Sequence, residues 1–143
     1  LASKYDKRLA FFVNKQFKKF DKIMNHRRQI AEIYNQKLGL SYDLDNAFLR
    51  YPVDLNQLSD DPKQVYTKLK ARLRAKGVLV GTWYTSLFMQ DKLDLKKFGL
   101  SSSKDLPTAH RLSDKNTINL PTNIHVSKLD AEMIAEVVLG CLN

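Results

Sequence analysis

Residues 5–38 read YDKRLAFFVNKQFKKFDKIMNHRRQIAEIYNQKL and contain neither glycine nor proline. Apolar side chains recur along this stretch at intervals of three and four residues, the spacing of one face of an α-helix. They are Leu9, Val13, Phe17, Phe20, Met24, Ala31, Tyr34 and Leu38. Gly39 follows directly and predicts the C-terminal end of the helix. The stretch therefore predicts one long amphipathic helix.

This helix would be longer than the domain to which it belongs. At ~1.5 Å per residue it would extend ~50 Å, whereas a compact chain of this length has a diameter below ~40 Å. The overhanging end carries Phe11, Phe12 and Val13, so we expect a further domain or a partner chain to cover it. Arg27 lies on the same stripe and should pair with a carboxylate or lie at a domain boundary. The alternative is a kink that folds the helix into two packed segments.

The 143 residues carry a formal net charge of +9, and most of it lies in this helix. Residues 1–38 hold ten Lys or Arg against three Asp or Glu. Cys141 is the only cysteine, so no intrachain disulfide can form, and the three histidines are too scattered for a zinc site. No apolar run approaches the ~20 residues of a membrane helix. We expect a cytoplasmic protein, and the first residue, Leu1, is what a piece of a longer protein would show.

The remaining residues alternate predicted strands and helices. Residues 47–53 alternate apolar and polar positions and predict a strand, with Pro52 at a sheet edge or exit. The elements predicted after it are a helix from Asp61 to Gly77, a strand over 78–84, a loop over 85–103, a short helix over 107–114, a strand over 117–120 and a last helix that begins with a Ser127–Asp130 capping arrangement.

These elements predict an α/β (α+β) fold. We expect a small antiparallel or mixed three-stranded sheet, covered by helices and preceded by one long N-terminal helix. Residues 1–38 would form an interdomain helix, and residues 39–143 a small C-terminal α/β domain.

Recognisable catalytic motifs are absent from the sequence. It contains no G-x-x-x-x-G-K-S/T phosphate loop, no G-x-G-x-x-G, no G-x-S-x-G and no H-E-x-x-H. Cys141 lies near the end of an apolar helix stripe, which indicates a packing role. We therefore assign no catalytic, cofactor-binding or metal-binding residue to this chain.

An ordered set of segments resembles the C-terminal part of the DegT/StrS-type sugar aminotransferases, which are pyridoxal-phosphate (PLP) enzymes of fold type I. The segments are QFKKFD (16–21), RRQIAEIY (27–34) with Leu38, LRYPV (49–53), LRAKGV (73–78), WY (83–84), LPTA (106–109) and INLPT (118–122). Family members tend to have His where this chain has Asn123, and an Asn-x-Arg segment near Ala2 to Lys4. Both departures leave the details of substrate contact open.

The resemblance implies a division of labour within a larger enzyme. A large N-terminal domain, missing from this chain, would carry the lysine that binds PLP, and the small C-terminal domain would close over the cleft. The full enzyme would be a homodimer that moves an amino group, expected to come from glutamate, to a nucleotide-linked keto-sugar. No PLP is expected on this chain alone, which should be inactive in isolation.

Three residues are candidates for substrate contact. Trp83 and Tyr84 end the second predicted strand, at a place that the resemblance puts beside the cleft, where an aromatic pair suits packing against a sugar ring or its nucleotide. Trp83 could instead fill the interface with the large domain. Arg50 could meet an anionic group of the substrate, or simply decorate its strand.

Two other functions compete with this interpretation. The charge of +9 and the 13 Tyr and Phe residues would also suit a basic α/β module that binds nucleic acid. Against that function, no RNA-recognition signature is present, and the charge follows a helix whose stripe is apolar. A degenerate family member that regulates rather than catalyses is the third possibility.

Overall fold

The computed structural model describes residues 7–80, 95–101, 105–112 and 116–142. In chain order the elements are α1 (Lys7–Phe17), α2 (Phe20–Leu38), β1 (Tyr51–Asp54), a short 3₁₀ helix (Leu55–Gln57), α3 (Pro62–Ala75), a second 3₁₀ helix (Leu95–Phe98), α4 (Pro107–Leu112), β2 (Thr117–Leu120) and α5 (Lys128–Leu142). The predicted α/β fold with a small sheet and covering helices is confirmed.

The long N-terminal helix is divided by a turn at Lys18 and Lys19, so the prediction of one uninterrupted helix is wrong. The Lys19 amide donates to Gln16 O at 2.9 Å, a tighter link than the α-helical one. A helix depends on tertiary packing for most of its stability, and α1 has little of it, because its large apolar side chains are exposed. The helix is therefore interrupted at this turn, but α1 is not packed against the rest of the domain as the kink alternative expected.

The second half of the predicted helix is anchored in the domain. Ile30, Ala31 and Tyr34 are fully buried, and α2 packs against α5, which also contacts α3. Gly39 ends the helix as predicted, with φ of 66° and its amide bonded to Asn35 O. Only a residue tolerant of positive φ suits that position.

The sheet has two antiparallel strands in the part of the chain that the structure describes. Tyr51 pairs with Leu120, and Asp54 pairs with Thr117. Of the strand predicted over 78–84, residues 81–84 lie outside the described ranges, and residues 78–80 form no regular strand. The described sheet therefore has one strand fewer than predicted.

The predicted helix starts are confirmed in detail. Asp61 Oδ1 accepts from the Gln64 amide at 3.0 Å at the start of α3. At the start of α5, Asp130 Oδ2 accepts from the Ser127 amide at 2.9 Å, and Ser127 Oγ accepts from the Asp130 amide at 3.1 Å. This reciprocal pair is a capping box. Within the described ranges, no helix is long and apolar enough to cross a membrane.

Candidate functional site

A cleft of about 440 Å³ lies where four parts of the small domain meet. One wall comes from the residue before β1, one from the end of α3 and the residues after it, one from the loop after β2, and one from the first turns of α5. The polar lining residues are Arg50, Lys76, Asn123, His125 and Asp130, and apolar ones such as Leu79, Pro121 and Met133 complete the surface. The mixture suits a ligand with both an apolar body and a polar group.

A residue with a strained backbone conformation lies close to Arg50 in the sequence. Phe48, two residues earlier, has φ of 39°, which is unfavourable for a residue with a bulky side chain. Two interactions hold it there: Thr122 Oγ1 donates to Phe48 O at 2.5 Å, and the buried Phe48 ring stacks on Tyr51 with centroids 5.8 Å apart. Strain that the surroundings fix in this way is often found near functional residues.

The loop after β2 is tied down along its length. Tyr34 OH donates to Pro121 O at 3.0 Å, and burial raises the pKa of Tyr34, which keeps it a neutral donor. His26 Nε2 lies 3.1 Å from Asn123 O. The Asn123 side chain in turn accepts from the His125 amide at 3.0 Å. The loop thus presents Asn123 and His125 to the cleft on a fixed backbone.

The formal charges that line the cleft favour an anionic group. Among the described residues that line the cleft, the charged ones are the half-buried Arg50, the exposed Lys76 and Asp130. Hydrogen bonds from the Ser127 hydroxyl and amide lower the pKa of Asp130, so this carboxylate stays ionised and committed to the capping box. Two cations and one carboxylate are thus present in the part of the lining that the structure describes.

The structure brings one of the three predicted site residues into the cleft. Arg50 lines it, whereas Trp83 and Tyr84 lie outside the described residues. Lys76, Asn123 and His125 were not predicted as site residues, because they are distant from Arg50 in sequence. The only available signal was Asn123, which follows the Leu-Pro-Thr segment where the resembling family tends to have His.

Ionic pairing fixes a second polar cluster at the other end of β1. Asp54 is 3% exposed and accepts from the Asn56 amide at 3.1 Å, from Asn56 Nδ2 at 2.6 Å and from Gln57 Nε2 at 3.3 Å. Arg111 of α4 forms a salt bridge with it. Burial alone would raise the pKa of Asp54, but the hydrogen bonds from Asn56 and Arg111 outweigh it and lower the pKa. The cluster fastens α4 to the sheet.

The described residues do not fit the requirements of a resident cofactor. A lysine that binds PLP covalently has to react as a neutral amine, a form that burial favours. Every lysine whose side chain the structure describes is exposed. Groups of His, Cys, Asp or Glu able to hold a metal ion are also absent from the described ranges. We therefore derive no cofactor chemistry from these residues.

Comparison with known proteins identifies the family. The profile of the DegT/DnrJ/EryC1/StrS aminotransferase family matches residues 3–139, so the chain belongs to this family and the resemblance seen in the sequence is confirmed. No curated protein matches the sequence.

A solved structure shares the fold. It is titled "Putative sugar aminotransferase Spr1654 from Streptococcus pneumoniae, PMP-form", and it superposes with a TM-score of 0.67 at 16% sequence identity. The match covers 89% of this chain but 32% of the other. The chain therefore spans about a third of the length of this structural relative.

Proposed function

We propose that this chain acts as the small C-terminal domain of a PLP-dependent aminotransferase that transfers an amino group, from glutamate, to a nucleotide-linked keto-sugar. The observation that carries the proposal is the family match over residues 3–139. The structural relative supports it, because that protein is named a sugar aminotransferase and this chain matches only a third of it. The remaining two thirds leave room for a large domain.

In this proposal the large domain, within a homodimer, supplies the cofactor and its lysine. PLP provides the amino-group transfer when it is bound there. The exposure of every lysine whose side chain the structure describes supports that division. The small domain contributes binding, orientation and the exclusion of water on closure, and on its own it is catalytically silent.

The cleft around Arg50 provides the contact with substrate. Its guanidinium and the Lys76 ammonium favour an anionic group, and a nucleotide-linked sugar carries such a group in its diphosphate. The Asn123 amide and the His125 ring offer hydrogen bonds to sugar hydroxyls. We assign Trp83 and Tyr84 the stacking contact with the sugar ring or the nucleotide base.

An activity assay on the complete polypeptide that contains these residues tests the proposal. Purified protein is supplied with PLP, glutamate and one of a panel of uridine, thymidine, guanosine or cytidine diphosphate keto-sugars, and 2-oxoglutarate formation is followed. We expect turnover with at least one nucleotide-linked sugar and none with the unlinked keto-sugar. The 143-residue chain alone should give no turnover under the same conditions.

Two outcomes would overturn the proposal. Turnover by the 143-residue chain alone would show that the cofactor lysine lies within it. A complete polypeptide that binds no PLP, together with nucleic-acid affinity that falls steeply between low and moderate salt, would instead favour the nucleic-acid-binding alternative.

A further inference from the structure

An apolar groove of about 460 Å³ runs along the turn between α1 and α2, far in sequence from the cleft around Arg50. We call it the N-terminal groove, and its main lining residues are Phe12, Val13, Phe17, Phe20, Met24 and Arg27. Phe12 is 64% exposed, Phe17 71% and Phe20 52%. Three large aromatic side chains exposed on one short stretch are typical of an interaction surface.

Arg27 gives this groove a chemical preference. Its Nε is buried and has no hydrogen-bond partner among the described residues. A buried polar group without a partner is costly, and more so when it belongs to a charged side chain. Because Arg27 lines the groove, an occupant that supplies a hydrogen-bond acceptor there and apolar atoms elsewhere would satisfy this nitrogen.

The adjacent Arg28 also carries a buried Nε without a hydrogen-bond partner among the described residues, but it does not line the groove. Arg28 Nη2 donates to Asp45 O of the domain's own loop at 3.4 Å. The chain thus contains two neighbouring arginines whose Nε atoms are both unpaired among the described residues; Arg27 lines the groove, and Arg28 has a terminal nitrogen bonded within the domain. A substitution of Arg28 is therefore a matched control for the same substitution of Arg27.

The surrounding charge selects an anionic occupant. Lys15, Lys18, Lys19 and Lys22 are exposed around the turn, and residues 1–38 hold ten Lys or Arg against three carboxylates. A second copy of this chain would bring the same positive surface and be repelled. A carboxylate on an apolar segment satisfies both Arg27 and the lysines.

We infer that an apolar segment of the large domain of the same enzyme docks in the N-terminal groove and places an Asp or Glu carboxylate against the Arg27 guanidinium. The inference rests on the proposed function, which supplies that domain. It adds the place of contact, the chemistry of the occupant and the residue that anchors it. The exposed aromatic residues provide the area of contact, and the pair between Arg27 and the carboxylate fixes the position of the segment along the groove.

Site-specific photocrosslinking in the complete polypeptide tests this. Phe17→p-benzoylphenylalanine places the crosslinker in the groove, and Lys68→p-benzoylphenylalanine places it on the exposed face of α3 as a control. After irradiation, mass spectrometry identifies the linked peptide. We expect the Phe17 position to link to a large-domain peptide that contains Asp or Glu, and the Lys68 position not to link to that peptide. A link to a second copy of residues 1–143, or no link, overturns the inference.

Substitution of the two arginines gives a second readout. We expect Arg27→Gln to raise the rate of amide hydrogen exchange in α1 by about tenfold or more. We expect Arg28→Gln to change this rate by less than about twofold. Exchanging the two charges, Arg27→Glu together with Lys at the linked carboxylate position, should restore slow exchange, which a purely structural role of Arg27 would not produce. Equal effects of Arg27→Gln and Arg28→Gln overturn the inference.

The same preparation separates this inference from the proposed function. If the complete polypeptide transaminates but crosslinks elsewhere, only the groove assignment fails. If it contains no PLP-binding large domain, the proposed function fails first, and the groove assignment fails with it.

Discussion

The salt bridge between Asp54 and Arg111 provides a sharp quantitative prediction. Asp54→Asn keeps the shape of the side chain but removes the charge that three neighbours are arranged around. A hydrogen bond to a charged group contributes about 1.5–3 kcal/mol. Arg111 is 48% exposed, and solvent screening reduces its share, so we expect the free energy of unfolding to fall by about 2 kcal/mol at pH 7.

The assay is urea unfolding of the 143-residue chain, followed by circular dichroism. Arg111→Ala and the double variant complete a cycle, in which we expect a coupling energy of about 1 kcal/mol. Arg74→Ala, at an exposed position of α3, is the control and should change the free energy by less than about 0.5 kcal/mol. If Asp54→Asn lowers the free energy of unfolding by less than about 0.5 kcal/mol, the Asp54 carboxylate does not stabilise the fold as proposed.

The same pair predicts a pH dependence with a definite sign. The pKa of Asp54 is lower in the folded chain than its ordinary value, so the folded state favours the ionised form. The stabilisation is fully present above the unfolded pKa of about 3.9 and is lost as the pH falls through the lower, folded value. The difference in the free energy of unfolding between wild type and Asp54→Asn should therefore become smaller at acid pH. A difference that becomes larger there would contradict a stabilising role of the ionised Asp54 carboxylate.

Three further predictions concern the cleft and the helix starts. Thr122→Val removes the hydrogen bond to Phe48 O and should lower the free energy of unfolding by about 1–3 kcal/mol, measured by urea unfolding. Thr122→Ser keeps the hydroxyl and should retain most of this stability. Asp61→Ala removes the cap of α3 and should cost about 1 kcal/mol, with Asp61→Ser within about 0.5 kcal/mol of wild type. In the complete enzyme, Arg50→Gln should raise KM for the nucleotide-linked sugar by about tenfold and leave KM for glutamate unchanged; an unchanged sugar KM would remove Arg50 from the site.

Local chemistry made much of the fold predictable. The three-and-four spacing over residues 20–38 marks a helix that the structure confirms, and Gly39 and the Ser127–Asp130 box mark helix ends through backbone conformations and hydrogen bonds formed within a few residues. Such signals do not depend on distant parts of the chain.

The unpredicted features depend on contacts between distant residues. The turn at Lys18 and Lys19 has no glycine or proline to mark it, and it occurs where tertiary packing ends. The start of β1 at Tyr51, later than the predicted residue 47, follows the positive φ of Phe48, whose carbonyl is bonded by Thr122, 74 residues away.

The cleft was only partly predictable for the same reason. Arg50 was a candidate from its strand and from the resemblance, but Lys76 and Asn123 meet it only after α3 and the loop after β2 have packed. Neither residue belongs to a motif whose spacing alone indicates a binding site. The cleft is therefore visible only once these distant parts of the chain have packed together.

The position of the lysine that binds PLP decides whether residues 1–143 act only as the small domain. The complete polypeptide is loaded with PLP, treated with borohydride to fix the cofactor to the lysine that binds it, digested, and mapped by mass spectrometry. We expect a single modified lysine, and we expect it outside residues 1–143. Modification of a lysine within residues 1–143, or the absence of any modified lysine, would contradict it.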